Sequence, residues 1–92
     1  MIQTQDMSKT KPTEAKTLGE FCAIVRRREE LTQEHIAESI GVARNTVTRT
    51  EMGMIERPYN YLRFIMRYLS DKEMAHMMDL LRQIDLKNLT EK

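Results

Sequence analysis

Arg44, Asn45, Thr48, Arg49 and Met52 recur at the spacing that sets side chains on one side of a helix, and four of the five carry hydrogen-bond donors. An outward stripe of donors is the chemistry of recognition. Nothing comparable points to catalysis: no nucleophile has a base at motif spacing, and with three glycines in all there is no Gly-rich phosphate loop. His35 and His76 stand apart in sequence, with no Cys or carboxylate constellation at ligand spacing, so neither a metal site nor a cofactor is expected. The single cysteine, Cys22, reads as a buried small hydrophobe and has no disulfide partner within the chain.

The stripe needs a helix to carry it and a second helix to hold that one in place. From Arg44 to Met52, Val47 and Thr50 fall on the side opposite the stripe, which makes them the inward anchors. Just upstream, Thr32 is a good N-cap, and Ile36, Ala37 and Ile40 form one apolar face. Gly41 then ends that helix, because a residue just past a helix C-terminus commonly sits at positive φ, where glycine has no Cβ to clash. Val42 pins the turn.

Flanking segments continue the helical pattern. Thr17 to Glu20 spells a capping box, and Leu18, Phe21, Cys22 and Val25 follow as an apolar stripe. The run Arg26-Arg27-Arg28 reads as a solvated face, partly neutralised by Glu29 and Glu30. After a loop ending at Pro58, a helix is expected over Tyr59 to Leu69 with Leu62, Ile65, Met66 and Leu69 inward. Ser70 to Glu73 is a second capping box, opening a last helix with Met74, Met77, Met78, Leu81 and Ile84 on its apolar face. Leu80, Leu86 and Leu89 fall off that face and suggest contact with another subunit or partner. Residues 1–16 have no period and read as a disordered arm, a solvated tail carrying Lys9, Lys11 and Lys16; 17–86 form the domain; 87–92 should fray.

Ninety-two residues fit one small domain, which buries only about 60% of the surface its unfolded chain exposes. The net charge of +1 argues against a non-specific polycation. Charge is unevenly placed, however: residues 44 to 69 hold five Arg against two Glu, and residues 71 to 92 hold four basic against five acidic side chains. With no signal-peptide pattern and no apolar run long enough to span a bilayer, no membrane association is expected and the cytoplasm is the expected location.

The stretch LTQEHIAESIGVARNTVTRTEMG, Leu31 to Gly53, resembles the helix-turn-helix of the lambda-repressor-like, Cro-type family of DNA-binding proteins. Gln33 opens the first helix, Ala37 is the small residue at the helix crossing, Gly41 makes the turn, Val47 anchors inward, and Glu51 and Gly53 close the motif. The resemblance extends from TLGEFCAIVRRREE upstream to EMGMIERPYNYLRFIMRYLS downstream, covering Thr17 to Ile84. Two positions depart from it. Ala43 replaces the usual Ser or Thr N-cap, a loss of typically ~1 kcal/mol, and Thr50 replaces a larger apolar residue.

The resemblance implies an all-α, compact five-helix DNA-binding domain with its second and third helices as the helix-turn-helix, acting as a transcriptional regulator, expected to be a repressor, that binds double-stranded DNA as a homodimer. Base edges would meet Arg44, Asn45, Thr48 and Arg49: arginine suits guanine O6 and N7, asparagine suits adenine N6 and N7, and the threonine methyl packs on a thymine methyl. Gln33, Thr46 and Arg57 would contact phosphates, and Arg26 would pair with Glu51. Two alternatives share the fold: an antitoxin that binds a toxin protein and its own promoter, and a protein-interaction module that has lost DNA binding.

Overall fold

The computed structural model describes residues 10–90, with side-chain surroundings through residue 87. Five α-helices order the described chain: α1 (Leu18–Arg28), α2 (Gln33–Ile40), α3 (Arg44–Glu51), α4 (Tyr59–Ile65) and α5 (Asp71–Thr90). Short 3-10 turns at Pro12–Glu14 and Met66–Tyr68 precede α1 and follow α4.

α1 is the central element. Its expected stripe of Leu18, Phe21, Cys22 and Val25 is buried, and so are Ala23 and Ile24, because α3, α4 and α5 all pack around it. The Thr17 hydroxyl accepts from Glu20 N at 3.1 Å as expected, but the Glu20 carboxylate takes the Lys16 N–H (2.9 Å) rather than that of Thr17.

α1, α2 and α3 end the same way. A residue with positive φ follows each helix, Glu30 (61°), Gly41 (75°) and Gly53 (85°), and the next N–H returns to the carbonyl five residues back. The bonds are Leu31 to Arg26, Val42 to Ala37 and Met54 to Arg49, at 2.9 to 3.0 Å. They satisfy carbonyls that a helix end otherwise leaves without partners. The same bonds turn the chain sharply enough for Leu31 and Val42 to fold back on the core.

Four expectations about the flanks are corrected. The arm was expected to be disordered through Lys16, yet Pro12 and Ala15 are buried and the Ala15 carbonyl lies 2.7 Å from His76 Nε2, so residues 12–15 strap α1 to α5; residues 1–9, Lys9 among them, lie outside the described residues. α4 gives way to a 3-10 turn at Met66, and the tighter winding carries that side chain off the inward face, to 41% exposure, while Tyr61 is buried instead. On α5, Leu80 is buried and Met78 is half exposed: the element packs mainly against α1 and the N-terminal turn, and its inward stripe runs through Met74, Met77, Leu80, Leu81 and Ile84. Leu86 is exposed as expected, and the backbone stays helical through Thr90 instead of fraying after residue 86.

Candidate nucleic-acid interface

α3 is held by its C-terminal glutamate. Glu51 Oε2 accepts from Arg26 Nε at 2.7 Å, Glu51 Oε1 accepts from Arg26 Nη2 at 3.0 Å, and the third arginine nitrogen donates to the Leu31 carbonyl at 2.9 Å. The two side chains are 11% and 6% exposed, so the expected pair forms, largely out of water. The same carboxylate also accepts from the Tyr61 hydroxyl of α4 and from Gln33 Nε2 of α2 (3.0 Å). One carboxylate therefore joins α1, α2, α3 and α4. Burial by itself pushes the Glu51 carboxyl up, but the hydrogen bonds from Arg26, Tyr61 and Gln33 outweigh it, and the net effect is a pKa below the ordinary glutamate value. Burial, then the bond to Glu51, pushes the Tyr61 phenol up, which keeps it a neutral donor.

Close packing fixes the same junction sterically. A Cβ at Gly19 of α1 would lie 2.2 Å from the Thr50 carbonyl oxygen, so only glycine lets α3 approach this closely. Val47 and Thr50 point into the core, and the Thr50 hydroxyl donates to the Thr46 carbonyl at 2.8 Å, which explains how a polar residue occupies a buried position there. Ala43 has extended backbone and makes no side-chain cap.

With its inner face anchored, α3 turns Arg44, Asn45 and Arg49 outward, all exposed and with no side-chain hydrogen bond or ion pair among the described residues. Thr48 is half-buried and differs from them. Its hydroxyl donates toward Gln33 Oε1 (3.1 Å) and the Arg44 carbonyl (3.3 Å), so its hydrogen-bonding group is engaged within the protein.

The three candidate phosphate contacts separate. Gln33 is engaged at both ends of its amide, by Glu51 and Thr48, which makes it first a brace between α2 and α3. Arg57 pairs with Asp85 of α5 at 2.8 Å, with Glu56 nearby at 4.0 Å; it ties the loop after α3 to the last helix, where sequence alone placed it toward a phosphate. Thr46 is half-buried in the first turn of α3, and its hydroxyl has no partner among the described residues. The arginine run on α1 is also divided: Arg26 goes to Glu51, Arg28 to Glu73 (2.6 Å) and the Tyr68 carbonyl (2.8 Å), and only Arg27 stays exposed and unpaired. Sequence reasoning missed Tyr61, Gly19 and the Arg57–Asp85 pair.

Among the described residues no group of His, Cys, Asp and Glu is arranged to hold a metal ion, and no helix is long and apolar enough to cross a membrane. No family model, curated protein or solved structure matches the chain.

Proposed function

We propose that the chain is a sequence-specific DNA-binding regulator, a repressor of Cro type, in which α2 and α3 act as a helix-turn-helix and a homodimer reads an inverted-repeat operator. One observation carries the reading: Arg44, Asn45 and Arg49 stand exposed and unpaired on α3, while Arg26, Arg28 and Arg57 nearby are bound to carboxylates. A short helix held through its inner face by a buried ion pair, with forked donors on its outer face, fits the width of a B-DNA major groove. Rigid anchoring matters, because base readout requires side chains that keep their register on the duplex. The resemblance of Leu31 to Gly53 to the Cro-type motif supports the same conclusion.

A gel shift with the full chain on the DNA upstream of its own gene tests the proposal. Retardation that survives competition by random duplex is the expected result, and binding equal on both would reject it. The antitoxin reading draws on Met78 and Leu86, half or more exposed on α5. It predicts a supershift when a small protein encoded by the adjacent gene is added.

A further inference from the structure

A second group of arginines lies away from α3. Arg63, in the last turn of α4, and Arg67, in the 3-10 turn that follows it, are both exposed beside an open concavity of about 290 Å³ whose other walls are Ser39 and Ile40 of α2 and Asn60 and Phe64 of α4. Arg63 has no hydrogen bond or ion pair among the described residues, and Arg67 has no carboxylate partner among them. Arg67 is nevertheless held: its Nε donates to the Phe64 carbonyl at 3.1 Å, and its guanidinium carbon lies 4.6 Å from the centre of the Phe64 ring. That ring is itself braced by His35 and Tyr68, each 6.1 Å away between centroids. With Nε engaged, the two terminal nitrogens of Arg67 remain as a fork of fixed orientation, which lowers the entropy lost when a carboxylate binds.

We propose that this concavity docks an acidic peptide segment carrying two carboxylates, with an apolar side chain between them resting on Phe64 and Ile40. Both arginines line the one concavity and neither is neutralised by a carboxylate among the described residues of this chain, so a segment that fills it meets two guanidinium groups and is matched by two carboxylates. The apolar floor favours a peptide over a DNA backbone, which presents charge with no apolar group to cover Phe64. The surface belongs to α2 and α4, so the inference stands whether or not α3 reads DNA.

The test is an NMR titration of the 15N-labelled full chain with a short peptide bearing two glutamates that flank a leucine. Saturable shifts confined to the amides of Ser39, Asn60, Arg63 and Phe64 are expected. They should weaken at least roughly tenfold, the equivalent of one charge-assisted bond, for the matched glutamine peptide and for Arg63→Glu, a change at a side chain with no partner whose loss could unfold the protein. Equal binding of the glutamate and glutamine peptides, or shifts scattered over the surface, overturns the proposal. So does a loss of affinity for operator and random duplex alike in Arg63→Glu, since that result assigns the arginine to DNA phosphates.

Discussion

Gly19 and Thr50 touch backbone to backbone: the Thr50 carbonyl oxygen occupies the space that a side chain at residue 19 would need. The contact reverses an ordinary expectation. Glycine in a helix is about 1 kcal/mol worse than alanine, so Gly19→Ala would stabilise an isolated α1. In the folded chain the added methyl must push α3 away, and overpacking of this kind costs about 1–3 kcal/mol. Gly19→Ala should therefore melt lower than the parent by circular dichroism, by about 5 °C or more for a domain of this size. An unchanged or higher Tm would mean that α3 is free to shift.

The buried carboxylate of Glu51 leads to a prediction with a pH sign. Its folded pKa lies below the ordinary glutamate value, so the unfolded state binds the proton more tightly. The associated stability is fully present above about pH 4.3, the unfolded value, and is lost as pH falls through the folded pKa. Urea midpoints should accordingly be flat near neutrality and drop in acid, and Glu51→Gln should lose part of that acid dependence. Glu51→Ala leaves Arg26 buried without its counter-charge and should be less stable by about 3 kcal/mol or more at pH 7. Tyr61→Phe removes one donor to Glu51 and should cost about 1 kcal/mol. If Glu51→Ala and the parent shared a urea midpoint at pH 7, the carboxylate would not be the junction of the four helices.

Features encoded by local pattern could be read from the sequence, and features that depend on contacts between distant segments could not. Thr32, Gly41, Val47 and the Ser70–Glu73 box act within one or two turns of chain, and each sits in the structure where periodicity or capping chemistry puts it. The Arg26–Glu51 pair spans 25 residues and was reached only through the family resemblance. Arg57 and Asp85 are 28 residues apart, and nothing in a loop residue marks the helix it will meet. Tyr61 lies outside the face of Leu62, Ile65, Met66 and Leu69 that hydrophobic spacing sets inward, and the carboxylate that accepts from its buried hydroxyl comes from α3, ten residues away. Met78 was preferred to Leu80 because the face of α5 that is buried depends on what packs there, and hydrophobic spacing alone allowed both.

Glu30 is the one non-glycine residue among the described residues with positive φ, at 61° in the turn that ends α1. Holding an L-residue in this region costs about 1–2 kcal/mol, and glycine loses about 0.5–1 kcal/mol relative to alanine through chain entropy. Glu30 is exposed and has no side-chain partner among the described residues, so its loss removes nothing else. Glu30→Gly should raise the urea midpoint slightly, a gain of about 0.5–1 kcal/mol; a lower midpoint would place the native backbone elsewhere. The same change should leave DNA affinity alone.

The last prediction separates residues that read from a residue that braces. Arg44, Asn45 and Arg49 are exposed and unpaired, so alanine at any of them should alter stability by no more than about 0.5 kcal/mol. On operator DNA the same changes should each cost about 1–3 kcal/mol and relax the preference at one base position, with little effect on random duplex. Gln33→Ala should behave in the opposite way. It strips one hydrogen bond from Glu51 and leaves the Thr48 hydroxyl without its partner on α2, so α3 loosens before any DNA is present and the Tm falls. Its effect on binding should follow the loss of order in α3, weakening operator and random DNA by similar factors and preserving the preferred sequence. Melting curves and randomised-operator selections on the four variants distinguish the roles. If Gln33→Ala kept the parental Tm while Arg49→Ala lost it, the assignments of brace and reader would be exchanged; if none of the three exposed variants changed the selected sequence, α3 would not be the reading helix.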